Sequence, residues 1–151
     1  MSKSVLNEEE LKKRFDEVID ELRKNKDGLA VMSLADTISH LARLTGNHIY
    51  YAIFYGIGVF GAEITEFYPL IAIPLLPDDI RGTYRQLFEE AVREGAKALE
   101  TIREELCSMG NIDANKLMEA VGTLVRYDVL LTEKRTRIMR TTVPLVPKSP
   151  R

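Results

Sequence analysis

Residues 49–76 read IYYAIFYGIGVFGAEITEFYPLIAIPLL, and Glu63 and Glu66 are the only charges among them. Tyr50, Tyr51, Phe54, Tyr55, Phe60, Phe67 and Tyr68 place most of the chain's six tyrosines and five phenylalanines in this one segment. The pattern predicts a helix from about His48 to Tyr68, roughly 30 Å long at 1.5 Å per residue. It is apolar nearly all round, as a buried central helix is. Pro69 is expected to end it, and Pro74 and Pro77 to forbid a regular helix beyond. The piece PLIAIPLLP then reads as an extended apolar arm against a core or a partner.

The flanking segments read as amphipathic helices. Asn7 and Glu10 have capping-box spacing and open a helix to about Lys26, with Leu11, Phe15, Val18, Ile19 and Leu22 as its apolar stripe. Asp27-Gly28 is expected to end it. A second helix, about Leu29 to Thr45, repeats apolar residues at Val31, Leu34, Ala35, Ile38, Leu41 and Ala42. Gly46 closes it and Asn47 caps the next. Asp78 and Asp79 favour the positive end of a fourth helix, which is expected to run to about Met109. Asp113 caps a fifth, with Leu117, Val121, Leu124, Val125 and Leu131 on its apolar side. From about residue 136, TRIMRTTVPLV is rich in β-branched residues and fits a helix end, a strand or an extended tail.

The fold class is therefore all-α, a single helical bundle of four to five helices with a buried aromatic central helix. A chain of 151 residues is most simply one domain, 1–151, with about 141–151 as a loose C-terminal tail. A length of this order buries enough surface to fold without disulfides or metals. The single cysteine, Cys107, allows no intrachain disulfide and fits a reducing, cytoplasmic setting. The N-terminus has no apolar signal region. One glutamine among many Glu, Lys and Arg leans toward a heat-tolerant source.

Gly56-Ile57-Gly58-Val59-Phe60-Gly61 matches G-x-G-x-x-G, but the surrounding patterns are helical and lack a second βαβ unit. The glycines read better as places where helices approach closely, with a kink near Gly56–Gly58 as a further expectation. A membrane span is argued against by Glu63, Glu66 and the prolines. Asp36, His40, Arg43 and Asn47 share one helical face, and Asp36 would orient the His40 imidazole if catalysis occurred there. The plainer reading is a solvated face. His48, Glu63 and Glu66 are too far apart on one helix to share a metal, so no metal and no cofactor is expected. Glu63 and Glu66 read instead as partners of arginines from another helix. Asp128, one turn from Leu124 and Leu131, is expected to be partly buried, with Arg81 or Arg85 as candidate partners. Lys134, Arg135, Arg137, Arg140, Lys148 and Arg151 make the C-terminal segment basic, yet no nucleic-acid motif accompanies them. A net charge of −2 also supplies no basic field. Neither a nucleophile elbow nor a P-loop is present.

The leading functional expectation is a non-enzymatic protein that self-associates, most simply as a twofold dimer. Phe60, Phe67, Tyr68, Leu70, Ile71 and Ile73 are its expected interface. The competing expectation is a small-molecule pocket lined by Tyr50, Tyr51, Tyr55, Glu63 and Glu66, with His40 and Asp36 available for acid–base work. A third is weak nucleic-acid binding by the basic C-terminal segment.

Overall fold

Asn7 Oδ1 accepts the Glu10 amide at 2.8 Å, and the Asn7 amide donates back to Glu10 Oε1 at 3.4 Å. This reciprocal cap opens α1 (Glu8–Asn25). Four more helices follow: α2 (Gly28–Thr45), α3 (His48–Ala72), α4 (Asp78–Leu106) and α5 (Ala114–Thr142). The computed structural model describes residues 7–74, 76–108 and 111–142, with side chains as far as Ile138. All five elements among these residues are helices, so the all-α bundle expected from the sequence is the fold.

The helices alternate in direction. Short turns join α1 to α2 and α2 to α3. Arg23 of α1 meets Glu100 of α4, and Asp16 meets Arg103, so α1 and α4 are antiparallel. Phe60 of α3 meets Gly95 of α4, and Phe67 stacks on Phe88, so these two are antiparallel as well. On α5, Val121 meets Gly56 and Arg135 meets Glu63, so α5 runs parallel to α3. Helices α1 to α4 close a ring in which each packs on the next and α4 returns to α1. Helix α5 lies in the groove between α3 and α4, so α3 touches α2, α4 and α5. That position is why α3 is apolar on most of its circumference.

The core is one contiguous cluster, with Phe15, Phe60, Phe67 and Phe88 fully buried. Phe67 and Phe88 stack at 5.8 Å, Tyr68 stacks on Phe88 at 5.6 Å, and Tyr84 meets Phe67 edge-on. Such pairs add about 0.5–1.5 kcal/mol each beyond area burial.

Several boundaries differ from the sequence reading. Helix α1 stops at Lys26, which takes the left-handed conformation (φ 54°). Asp27 caps α2, and Gly28 is the first residue of that helix rather than a turn. Pro69 does not end α3, which continues to Ala72. Proline removes one amide and crowds the carbonyl four residues back. The burial of Leu70 and Ile71 beyond it offsets that cost. The expected extended arm is therefore helical as far as Ala72, and Pro77 caps α4. Helix α3 also runs unbroken through Gly56–Gly58. Helix α4 ends at Leu106, capped by Cys107, and α5 carries on to Thr142. The expected tail beyond Thr142 lies outside the described residues.

The glycines of α3 have packing roles. A Cβ on Gly28 would sit 2.4 Å from the Gly61 carbonyl oxygen and 2.7 Å from the Thr65 amide. A Cβ on Gly61 would meet Met32 and the Gly28 carbonyl at 3.0 Å. Helices α2 and α3 therefore touch backbone to backbone at this end, an approach any side chain would prevent. G-x-G-x-x-G sits inside α3, with no strand before it among the described residues, so it lacks the strand-to-helix turn of a dinucleotide site.

Candidate functional site

The one buried charged residue among those described is Glu63, on α3 facing α5. Arg135 of α5 grips its carboxylate with Nε at 2.7 Å and Nη2 at 2.9 Å. Thr132, nearly one turn earlier on α5, donates its hydroxyl to Glu63 Oε1 at 2.8 Å. The same hydroxyl lies 3.4 Å from Asp128 Oδ1. Glu66, more exposed, reaches Arg135 Nη1 at 3.5 Å. Three carboxylates thus gather around one guanidinium and one hydroxyl. The Glu63 hydrogen bonds raise the Arg135 pKa. Burial, and then the neighbouring Glu63, push the Asp128 carboxyl above its ordinary value, and Thr132 and Arg135 only partly oppose this. Asp128 is not paired as expected: Arg81 bridges Asp78, and Arg85 donates to the Ile71 carbonyl.

This cluster has the chemistry of a helix clasp. Both Glu63 oxygens are occupied by a planar bidentate donor, which fixes the register of α3 against α5. Glu63 accepts three hydrogen bonds, two at Oε1 and one at Oε2, which hold its carboxylate in one orientation. The expectation that Glu63 and Glu66 pair with an arginine from another helix describes this arrangement.

The remaining sequence candidates are scattered. Asp36, His40 and Arg43 are exposed on α2, and no hydrogen bond or ion pair joins Asp36 to His40 among the described residues. Asn47 is engaged as the α3 cap, accepting the Ile49 amide at 3.0 Å. Tyr50 is half-buried, and burial, with Cys107 nearby, raises its pKa. Tyr51 and Tyr55 are 46% and 58% exposed. Cys107 is half-buried, its thiol 3.8 Å from the Glu8 carbonyl and pushed upward in pKa by burial and Glu8. No group of His, Cys, Asp and Glu among the described residues is placed to hold a metal ion. An open groove of about 390 Å³ between α4 and α5 is lined by Glu94, Glu104, Glu105 and Glu119 with Lys97 and Lys116. None of the tyrosines of α3 borders it. In the basic C-terminal segment, Arg135 serves the clasp and Arg137 bridges Glu133 at 3.8 Å. Lys148 and Arg151 lie outside the described residues.

The expected interface residues divide in two. Phe60, Phe67, Leu70 and Ile71 are buried in the chain's own core, while Tyr68 and Ile73 stay partly exposed. Phe60 and Phe67 pack on Gly95, Tyr84 and Phe88 of α4, so their faces are used within one chain. A different surface is exposed and apolar. On the outer side of α3, Tyr51, Tyr55, Gly58, Val59 and Ala62 recur at helical spacing, each exposed or half-buried. Ala35 of α2 lies against Gly58 on one side (3.8 Å from a Cβ there), and Val121 of α5 lies against Gly56 on the other. Next to Val121, the outward side of α5 carries Met118, Gly122, Val125 and Val129. Met118 is 37% and Val129 56% exposed. Met32 of α2 borders the same face beside Gly61. Val125 lies at the edge of this stripe, half-buried and packed against the core as its spacing predicts.

No helix among the described residues is long and apolar enough to cross a membrane. The chain matches no protein-family model, no curated protein and no solved structure.

Proposed function

We propose that this chain is a non-enzymatic helical protein that works by self-association, with the outer face of α3 and the adjoining stripe of α5 as its contact surface. One observation carries the reading. Tyr51 and Tyr55 of α3, and Met118 and Val129 of α5, are exposed on two helices that pack on each other. Contiguous apolar patches of this kind usually become interfaces. Tyrosine suits such a surface, since its ring is apolar and its hydroxyl tolerates water. This replaces Phe67 and Ile71, whose burial gives them a task inside the chain. The lone thiol, Cys107, fits work in a reducing, cytoplasmic compartment.

The pocket reading has less support. Glu63 is consumed by Arg135 and Thr132, and Tyr51 and Tyr55 stand in solvent. The test is Tyr55→Asp, examined by size-exclusion chromatography with light scattering. A folded monomer beside a dimeric wild type is expected. A Tyr55→Asp protein with the wild-type mass would overturn the reading.

A further inference from the structure

Resting on the self-association reading above, we infer that the two copies pair with α3 antiparallel to α3 and the twofold axis at the level of Gly58–Val59. Taken along the chain, the outer face of α3 presents Tyr51, Tyr55, Gly58, Ala62 and Glu66. Turned about that level, Tyr55 falls on Ala62 of the second copy and Tyr51 on its Glu66. Gly58 falls beside Gly58. Bulk meets a small side chain, a phenol meets a carboxylate that is 61% exposed, and the two backbones approach where neither carries a side chain.

The stripe on α5 has the same centre. Val121 faces Gly56, so the level of Gly58–Val59 on α3 corresponds to that of Thr123–Leu124 on α5. About it, Met118 falls on Val129 and Gly122 on Val125. Both stripes become self-complementary under one operator, as an isologous interface requires. The alternative, an axis along α3, brings Tyr55 onto Tyr55 and Glu66 onto Glu66. It stacks bulk on bulk and like charge on like charge, which disfavours it.

The two tyrosines supply about a quarter of the area that a stable pair needs. At about 200 Å² for a whole aromatic side chain, Tyr51 and Tyr55 together expose roughly 200 Å². A stable pair needs about 800 Å² from each partner. Met32, Val59, Ala62, Met118, Val125, Val129 and the rim around them have to supply the rest.

Gly58→Cys in a Cys107→Ser background tests the geometry, because only residues beside the axis come within about 7 Å of their own copy. Gly58 has room for the change, with Ala35 Cβ the nearest atom at 3.8 Å. Thermal unfolding monitors the fold of each variant. Under oxidation, Gly58→Cys is expected to give a covalent dimer, and Glu66→Cys and Leu44→Cys are not. Crosslinking through Glu66→Cys, with or without Gly58→Cys, or none through a folded Gly58→Cys, in a protein that is dimeric by mass, overturns the antiparallel pairing and leaves self-association standing. A monomeric mass for the Cys107→Ser parent and the wild type overturns both. Should Gly58→Cys fail to fold, the pair Met118→Cys and Val129→Cys in one chain gives the same decision, since the two positions are about three helical turns apart within α5 and the thiols meet only between copies turned about this axis.

Discussion

Arg135 of α5 holds Glu63 of α3 with two nitrogens, at 2.7 and 2.9 Å, and the glutamate is 4% exposed. The residues are 72 apart in sequence, and the pair locks a parallel helix contact that no short turn constrains. Arg135→Ala would leave that carboxylate buried with Thr132 as its remaining donor. An uncompensated buried charge costs about 3–5 kcal/mol, and the partial exposure of Arg135 and the remaining Thr132 donor reduce this to about 2–3 kcal/mol. Denaturant unfolding should show that loss. The double variant Glu63→Leu, Arg135→Met should recover most of it. A single-variant loss below about 0.5 kcal/mol would contradict the clasp.

Asp128 sets a pH dependence of the opposite sense to an ordinary paired aspartate. Burial and Glu63 raise its pKa in the folded state. The folded chain therefore holds this proton more tightly than the unfolded chain, whose value is about 3.9. Below that value both states are protonated and Asp128 costs nothing. As pH rises from there through the folded value, the charged form appears and stability is lost. Asp128→Asn should raise the unfolding midpoint at pH 7 by about 1–3 °C, after discounting for solvent near the group, and leave it unchanged near pH 3. An equal effect at both pH values would show that the charge is not the cause.

The glycines separate by what surrounds them. Gly28→Ala would drive a Cβ into the Gly61 carbonyl and the Thr65 amide, so α2 and α3 would have to move apart. A loss of about 2–3 kcal/mol is expected. Gly82→Ala, in α4 with nothing within 4 Å, should gain about 0.5–1 kcal/mol from helix propensity alone. Chemical denaturation of the two variants checks both signs.

Asp36 lies on α2 beside Ala35, which touches the level of Gly58. The antiparallel pairing brings Asp36 toward its own copy at the rim. Asp36→Asn should tighten the dimer by about two- to fivefold at low salt, and less at high salt where rim charges are screened. Sedimentation at two ionic strengths reads this. A weaker dimer from Asp36→Asn would contradict the placement.

Local chemistry was the most legible part of the sequence. Asn7 with Glu10, Gly46 with Asn47, and Asp113 act as caps because each needs only residues one turn away. The buried stripe of α1 was equally plain from its spacing. The errors arose where tertiary contact outweighs local preference. Gly28 looks like a helix stop and is a contact point, since the Gly61 backbone it touches is distant in sequence. Pro69 looks like a terminus, and the burial of Leu70 and Ile71 carries the helix past it. The partner of Glu63 had a legible type but not a legible identity. Apolar residues on α3 also could not be divided into inward and outward sets, because a helix touching three others is apolar in nearly every direction. Spacing alone therefore does not separate Phe67, which is buried, from Tyr51, which faces outward.

Native mass spectrometry of the full chain, purified without added ligand and sprayed over a range of concentrations, tests self-association most directly. The expected result is a species of twice the chain mass that persists at micromolar concentration and carries no adduct. A monomer at every concentration would contradict the proposal, and a reproducible small-molecule adduct on that monomer would favour a ligand-binding bundle instead.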